Sequence, residues 1–203
     1  LYLPVIALQV YVLYRTATRG TILGLLAGAF IFTVILLIKR WSDQKIRRAS
    51  LAGLIALVVI VGGVFFARNS SFVQNSPVLA RFASISATEQ TTESRLTIWQ
   101  MSLRGFTERP VLGWGPENYN LVFNKYYEPK LWRQEQWFDR SHNIFLDWLI
   151  DAGALGLLAY LSIFATALYY LWRGRQNKFD IVTKALFTGL LVAYLVHNIF
   201  AFD

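Results

Sequence analysis

Five side chains in this sequence have the type and setting for phosphate and proton chemistry: Arg15, Arg19, Arg95, His142 and His197. A guanidinium is planar, stays protonated at any working pH and donates paired hydrogen bonds to phosphate oxygens. An imidazole can take a proton from an attacking hydroxyl. His142 stands in "WFDRSHNIFLDW" (137–148), where the polar run Asp139-Arg140-Ser141 gives way to a long apolar segment. His197 sits near the end of the last apolar segment, in "LVHNIFAFD". The spacing of Arg15 and Arg19 predicts two guanidinium groups one helical turn apart on a shared face. Arg95 lies one turn before Trp99. Asp147 and Asp151, spaced for one helix face after His142, can pair with basic groups or orient the histidine. Each candidate also has a structural role open to it. Arginines can snorkel as anchors or sit solvated on a helix, His142 can mark a boundary, and His197 can pack between helices.

These groups are carried by a membrane chain. Of 203 residues, 55% are hydrophobic and only 16% charged, and the mean hydropathy is +0.40. The apolar residues cluster in runs near the ~20 residues that cross a bilayer as a helix. Spans are predicted over Ile22 to Ile38, Ala49 to Ala67, Asn143 to Trp172 and Ile181 to Phe200. Tyr2 to Tyr14 reads as the end of a helix, and the chain as part of a larger polytopic protein. The absence of cysteine excludes disulfides, thiol catalysis and cysteine-ligated zinc. With two histidines a protein-built metal site would have to rest on carboxylates, and none is expected; nor is any cofactor. The net charge of +8 fits cytoplasmic loops and anionic lipid headgroups, and no nucleic-acid motif accompanies it.

Loop charge sets the expected topology. Residues 39–48 carry five Lys/Arg and residues 173–184 carry four, against two in 14–20. The positive-inside rule then puts the first two stretches in the cytoplasm, and 14–20 together with the 74-residue segment 68–141 on the other side. The expected fold is all-α: a polytopic membrane helical bundle with a partly helical extracytoplasmic loop domain. Its divisions are residues 1–67 (membrane helices), 68–141 (loop domain) and 142–203 (membrane helices). Within the loop, Leu96, Trp99, Leu103 and Phe106 make a helical stripe, Thr91-Thr92 are expected to cap its start near Glu93, and Pro110 to end it. "RPVLGWGPENYN" (109–120) reads as a tight turn, and the aromatic stretch from Tyr126 to Phe138 as membrane-surface rings. All five candidates can then lie near one outer membrane plane. Arginines and a histidine in that position suit transfer of a sugar from a lipid diphosphate to a hydroxyl.

The order of motifs resembles the O-antigen ligase and O-antigen polymerase superfamily over nearly the whole chain. "TATRGTILGLLAG" (16–28) is similar to its Ser/Thr-Arg-Gly entry to a span, with Thr18 where serine is common. "SRLTIWQMSLRGFTERPVLGWGPENY" (94–119) is similar to its Arg-x3-Trp helix and Pro-x-x-Gly-x-Gly turn. "SHNIFLDWLIDAGALGLLAYL" (141–161) resembles its His-Asn entry and acid-x-Gly-x-x-Gly, and "HNIFAFD" (197–203) its closing span. The resemblance implies a metal-independent inverting glycosyltransferase, ligase or polymerase, of the bacterial inner membrane with its active face outside the cytoplasm. It implies transfer from undecaprenyl diphosphate to lipid A core, protein or growing glycan. His142 would be the catalytic base, Arg19 and Arg95 the diphosphate ligands, with Arg15 and His197 secondary. Relatives described as bicarbonate-type anion transporters supply the competing expectation.

Overall fold

A computed structural model describes residues 2–16, 18–83, 90–133, 137–174 and 178–200. Among these residues the secondary structure is helical with no strand. Four helices are long and apolar enough to cross a membrane, and they coincide with the four predicted spans within a few residues at each end. The chain divides into two compact units, Leu1–Ile85 with Lys178–His197, and Ser86–Asn177 with Asn198–Asp203.

The first unit holds α1 (Tyr2–Thr16), α2 (Arg19–Lys39), α3 (Gln44–Phe66), the short α4 (Ser71–Gln74) and α5 (Pro77–Ala83). It also holds Ile181–His197 of the last helix, which runs Ile181–Asn198. At 1.5 Å per residue, the 21 residues of α2 reach about 30 Å, the thickness of a hydrocarbon core. The basic turn after Lys39 reverses the chain into α3, which packs along α2. Asp43 starts α3 by accepting hydrogen bonds from the Lys45 and Ile46 amides at 3.0 and 3.2 Å, which satisfies two of the first-turn donors. Large apolar side chains such as Val58 and Phe66 face outward, 72% and 89% exposed, as lipid-facing positions require. α2 approaches the last helix through small residues. A Cβ on Gly28 would stand 2.6 Å from the Gly189 carbonyl oxygen, and one on Gly24 2.5 Å from that of Ala193. Contact this close is how membrane helices gain packing without a hydrophobic drive.

The second unit is built on α6 (Gln90–Glu108), α7 (Tyr119–Lys125), a 3-10 turn at Pro129–Arg133 and α8 (Ile144–Arg173). Its core joins Ile98 and Met101 of α6 to Tyr119, Val122 and Phe123 of α7 and Ile150 of α8. α6 ends at Glu108, ahead of Pro110 as expected. It begins at Gln90, however, so Thr91 and Thr92 lie within its first turn and are not its caps. Phe138, expected at a membrane surface, is instead buried in this core, whereas Trp132 and Trp137 are exposed. With the last helix named α9, the elements are complete.

α8 is not one continuous helix. Gly153 has φ +65°, ψ −163° and breaks it. The segment beyond the break, residues 154–173, is long enough to cross a bilayer alone. The turn after α6 docks into the break through backbone hydrogen bonds. Trp114 and Gly115 amides donate to the Ile150 and Asp151 carbonyls at 2.6 and 3.0 Å. In return, the Ala154 and Leu155 amides donate to the Pro110 and Val111 carbonyls at 2.8 and 3.4 Å. These four groups of α8 thus have partners, without which burial would cost roughly 1–3 kcal/mol apiece. The approach needs glycine on both sides. A Cβ at Gly113 (φ +69°) would stand 2.3 Å from the Ile150 oxygen, and one at Gly153 2.3 Å from the Val111 oxygen. Pro-x-x-Gly-x-Gly and acid-x-Gly-x-x-Gly are thus the two halves of one joint.

Candidate functional site

The joint fixes where α8 begins, and His142 stands immediately before that start. Asn143 caps the helix, its Oδ1 accepting from the Phe145 and Leu146 amides at 3.0 and 3.3 Å. One turn on, Asp147 reaches back over the cap. Its Oδ1 accepts from the Ser141 amide at 2.7 Å and the Ser141 hydroxyl at 2.6 Å. That hydroxyl also lies 2.9 Å from the Asn143 carbonyl. Between these anchors His142 takes φ +54°, a left-handed conformation that costs a non-glycine residue about 1–2 kcal/mol. Only Glu117 (φ +61°) shares it among the described non-glycine residues. Ser141 and Asn143 are buried while His142 is partly exposed, its ring edge-on to Phe138 at 5.4 Å. The neighbours are held by hydrogen bonds, and His142 between them is partly exposed.

α6 adds the next connection. The Trp99 indole donates to the Ser141 carbonyl at 3.1 Å, so the helix that carries Arg95 is bonded to the residue preceding His142. Arg95 and Trp99 are spaced i, i+4 and share a face. The Trp99 ring also lies 6.4 Å from Phe200, and the Asn198 amide donates to the Tyr160 hydroxyl at 2.8 Å. The closing motif therefore docks on α6 and α8; its residues 201–203 fall outside the described ones, as does Arg175 of the expected basic stretch.

The same unit contains a cleft of about 520 Å³. Glu117, Asp139, Asp147 and Asp151 put four carboxylates on its wall, with Arg140 among them. Tyr119, Asn120 and Trp137 supply amide and ring surface. Arg140 and His142 lie within electrostatic reach of the Asp147 carboxylate. Tyr119 is buried at the cleft's base, where its hydroxyl meets the Ser102 hydroxyl at 3.1 Å; desolvation pushes its pKa above the ordinary tyrosine value.

A family model described as O-antigen ligase matches residues 4–161, which include α6, the glycine joint and the His142 cap. The chain belongs to the O-antigen ligase family. It is accordingly a multi-pass membrane protein with a glycosyltransferase-type function, and its partners are a lipid-linked glycan and an acceptor. No curated protein and no solved structure matches the chain.

The five expected residues divide between the two units. Arg95 and His142 belong to the second, bridged by Trp99 and Ser141. Arg15, Arg19 and His197 belong to the first. Arg15 and Arg19 do not share a helix face: Arg15 is in the last turn of α1, and Arg19 opens α2. The four-residue spacing was compatible with one helix, but the chain breaks between them. His197 Nδ1 lies 3.3 Å from the Thr21 hydroxyl, which places it in the α2–α9 packing. Sequence reasoning missed the cleft residues Glu117, Asn120, Trp137 and Arg140. No local signal brings residues 116–120, at the start of α7, against 137–140.

Proposed function

We propose that this O-antigen ligase family member transfers a glycan from undecaprenyl diphosphate to an acceptor hydroxyl on the non-cytoplasmic face of the bacterial inner membrane. His142 is the general base, and Arg95, on the helix hydrogen-bonded beside it, holds the diphosphate. The observation that carries this reading is the strained backbone of His142, whose neighbour Ser141 is hydrogen-bonded to the Arg95 helix. Strain of this kind persists where surrounding structure over-determines it, and it concentrates at functional sites.

In the step itself, the acceptor oxygen attacks the anomeric carbon as its proton passes to the His142 imidazole. The new carbon–oxygen bond forms opposite the breaking bond to phosphate, which inverts the anomeric centre. The bonding pair leaves on the diphosphate oxygen, and the Arg95 guanidinium stabilises that charge without a metal. Base assistance of this type contributes about 10²–10⁴-fold. Arg15, exposed at the end of α1, acts as an anchor, and His197 as a packing residue.

The test is a transfer assay with purified protein, a lipid-linked glycan and an acceptor glycan. Arg95→Ala should raise the donor KM and lower kcat, with Arg95→Lys recovering only part because it loses the bidentate fork. Product with retained anomeric configuration contradicts the single-displacement step. Anion flux in liposomes with no glycan transfer contradicts the whole reading and favours the transporter.

A further inference from the structure

The cleft of the second unit has chemistry of its own. Its volume of about 520 Å³ falls in the ~300–1,000 Å³ range of small-molecule sites. Among the described residues its wall carries four carboxylates and one guanidinium, so the field they supply opposes an anion. A lipid diphosphate is the wrong ligand for that wall. Nor is a metal ion the occupant the geometry fits, because no group of three or more His, Asp or Glu among the described residues is arranged to hold one.

Two further features point to an uncharged, hydroxyl-rich ligand. The Trp137 ring lines the cleft and is 58% exposed, a flat apolar face with nothing packed over most of it. The Asn120 Oδ1, also in the lining residue set, is buried without a hydrogen-bond partner. A buried polar atom left this way costs roughly 1–3 kcal/mol, which a turn of the Asn120 amide toward a ligand donor would recover. A pyranose offers what each wall lacks: a C–H face for the indole, hydroxyl donors for Asn120 and for the carboxylates. The cleft also adjoins the base, since Asp147 lines it and holds Ser141 beside His142.

We propose that this cleft binds a neutral or amino-bearing pyranose of the acceptor glycan, and that its carboxylates exclude acidic sugars and phosphate. Placing the ligand on the acceptor side rests on the function proposed above; the binding chemistry does not.

The experiment uses full-chain protein in a detergent without a sugar headgroup, with no donor present. Saturation-transfer NMR is recorded against methyl glycosides of hexoses, 6-deoxyhexoses, heptoses and hexosamines, and against methyl glucuronide. At least one neutral or amino glycoside should show transfer. Trp137→Ala should reduce that transfer at least tenfold, Asn120→Ala should weaken it severalfold, and Trp137→Phe should keep most of it. Glucuronide should bind at least tenfold more weakly, and Glu117→Gln/Asp139→Asn should narrow that gap. Trp137 is exposed, so unchanged circular dichroism is expected for its variants and separates lost binding from lost fold. Transfer unaffected by Trp137→Ala, glucuronide binding as well as the best neutral sugar, or no transfer from any glycoside overturns the proposal. Because no donor is used, sugar binding that survives in a protein whose Arg95 and His142 prove dispensable would leave the cleft standing and remove only the catalytic reading.

Discussion

The tetrapeptide His-Asn-Ile-Phe occurs twice, at 142–145 and 197–200, and the two copies are built differently. In the first, histidine precedes a helix on a left-handed backbone, and asparagine caps that helix with its oxygen. In the second, histidine lies in the last turn of α9 and is hydrogen-bonded to Thr21. Its asparagine uses the amide nitrogen instead, donating to Tyr160, while the oxygen is buried without a partner. In one copy the polar groups on either side hold the histidine in an unfavourable backbone conformation. The other uses them to join helices. Residue identity is shared; the role follows from whether the backbone around the histidine is strained and independently anchored.

The sharpest way to break this comparison is His142→Ala, which should lower transfer by about 10²–10⁴-fold with little loss of fold. Next is the joint that sets where α8 starts. Gly153→Ala forces a side chain into the Val111 carbonyl and a left-handed backbone, and it should destabilise the second unit by about 2–4 kcal/mol. Thermal denaturation followed by circular dichroism would show it. Gly62→Ala is the matched control: a Cβ there meets nothing within 4 Å, so stability should stay level or rise by about 0.5–1 kcal/mol. Asp147→Asn keeps an acceptor for Ser141 but removes the charge from its short hydrogen bonds. A charge-assisted bond is worth about 1 kcal/mol more than a neutral one, so kcat should fall roughly 5–10-fold. The smallest effect belongs to Thr21→Val, which removes one partly buried hydrogen bond to His197. It should cost about 0.5–1.5 kcal/mol of stability and leave kcat within about twofold.

Much of the scaffold was legible because hydropathy and charge act along the chain. The four spans, the end of α6 before Pro110 and the turn at 109–115 all follow from local composition and backbone restrictions. The break in α8 was not legible, because 143–172 reads as one apolar run and periodicity reports faces rather than interruptions. Gly153 becomes meaningful only when Pro110–Gly115 is seen filling the gap it opens. The division between Arg15 and Arg19 was hidden for a similar reason, since four-residue spacing describes one helix only if the helix continues. His142 was legible as a candidate, while its strain and the reach of Asp147 over the cap depend on backbone angles that no residue type dictates. The cleft was the least legible feature: Asp147 and Asp151 share a face of α8, but the start of α7 and residues 137–140 reach them only through the tertiary fold.

The most direct measurement compares His142→Ala with His197→Ala in one assay, as single-turnover transfer from a lipid-linked glycan by purified protein. If His142 is the base, the first loses about 10²–10⁴-fold in rate and the second no more than about twofold. Equal losses, or a His142→Ala protein that still transfers at the parental rate, would contradict it.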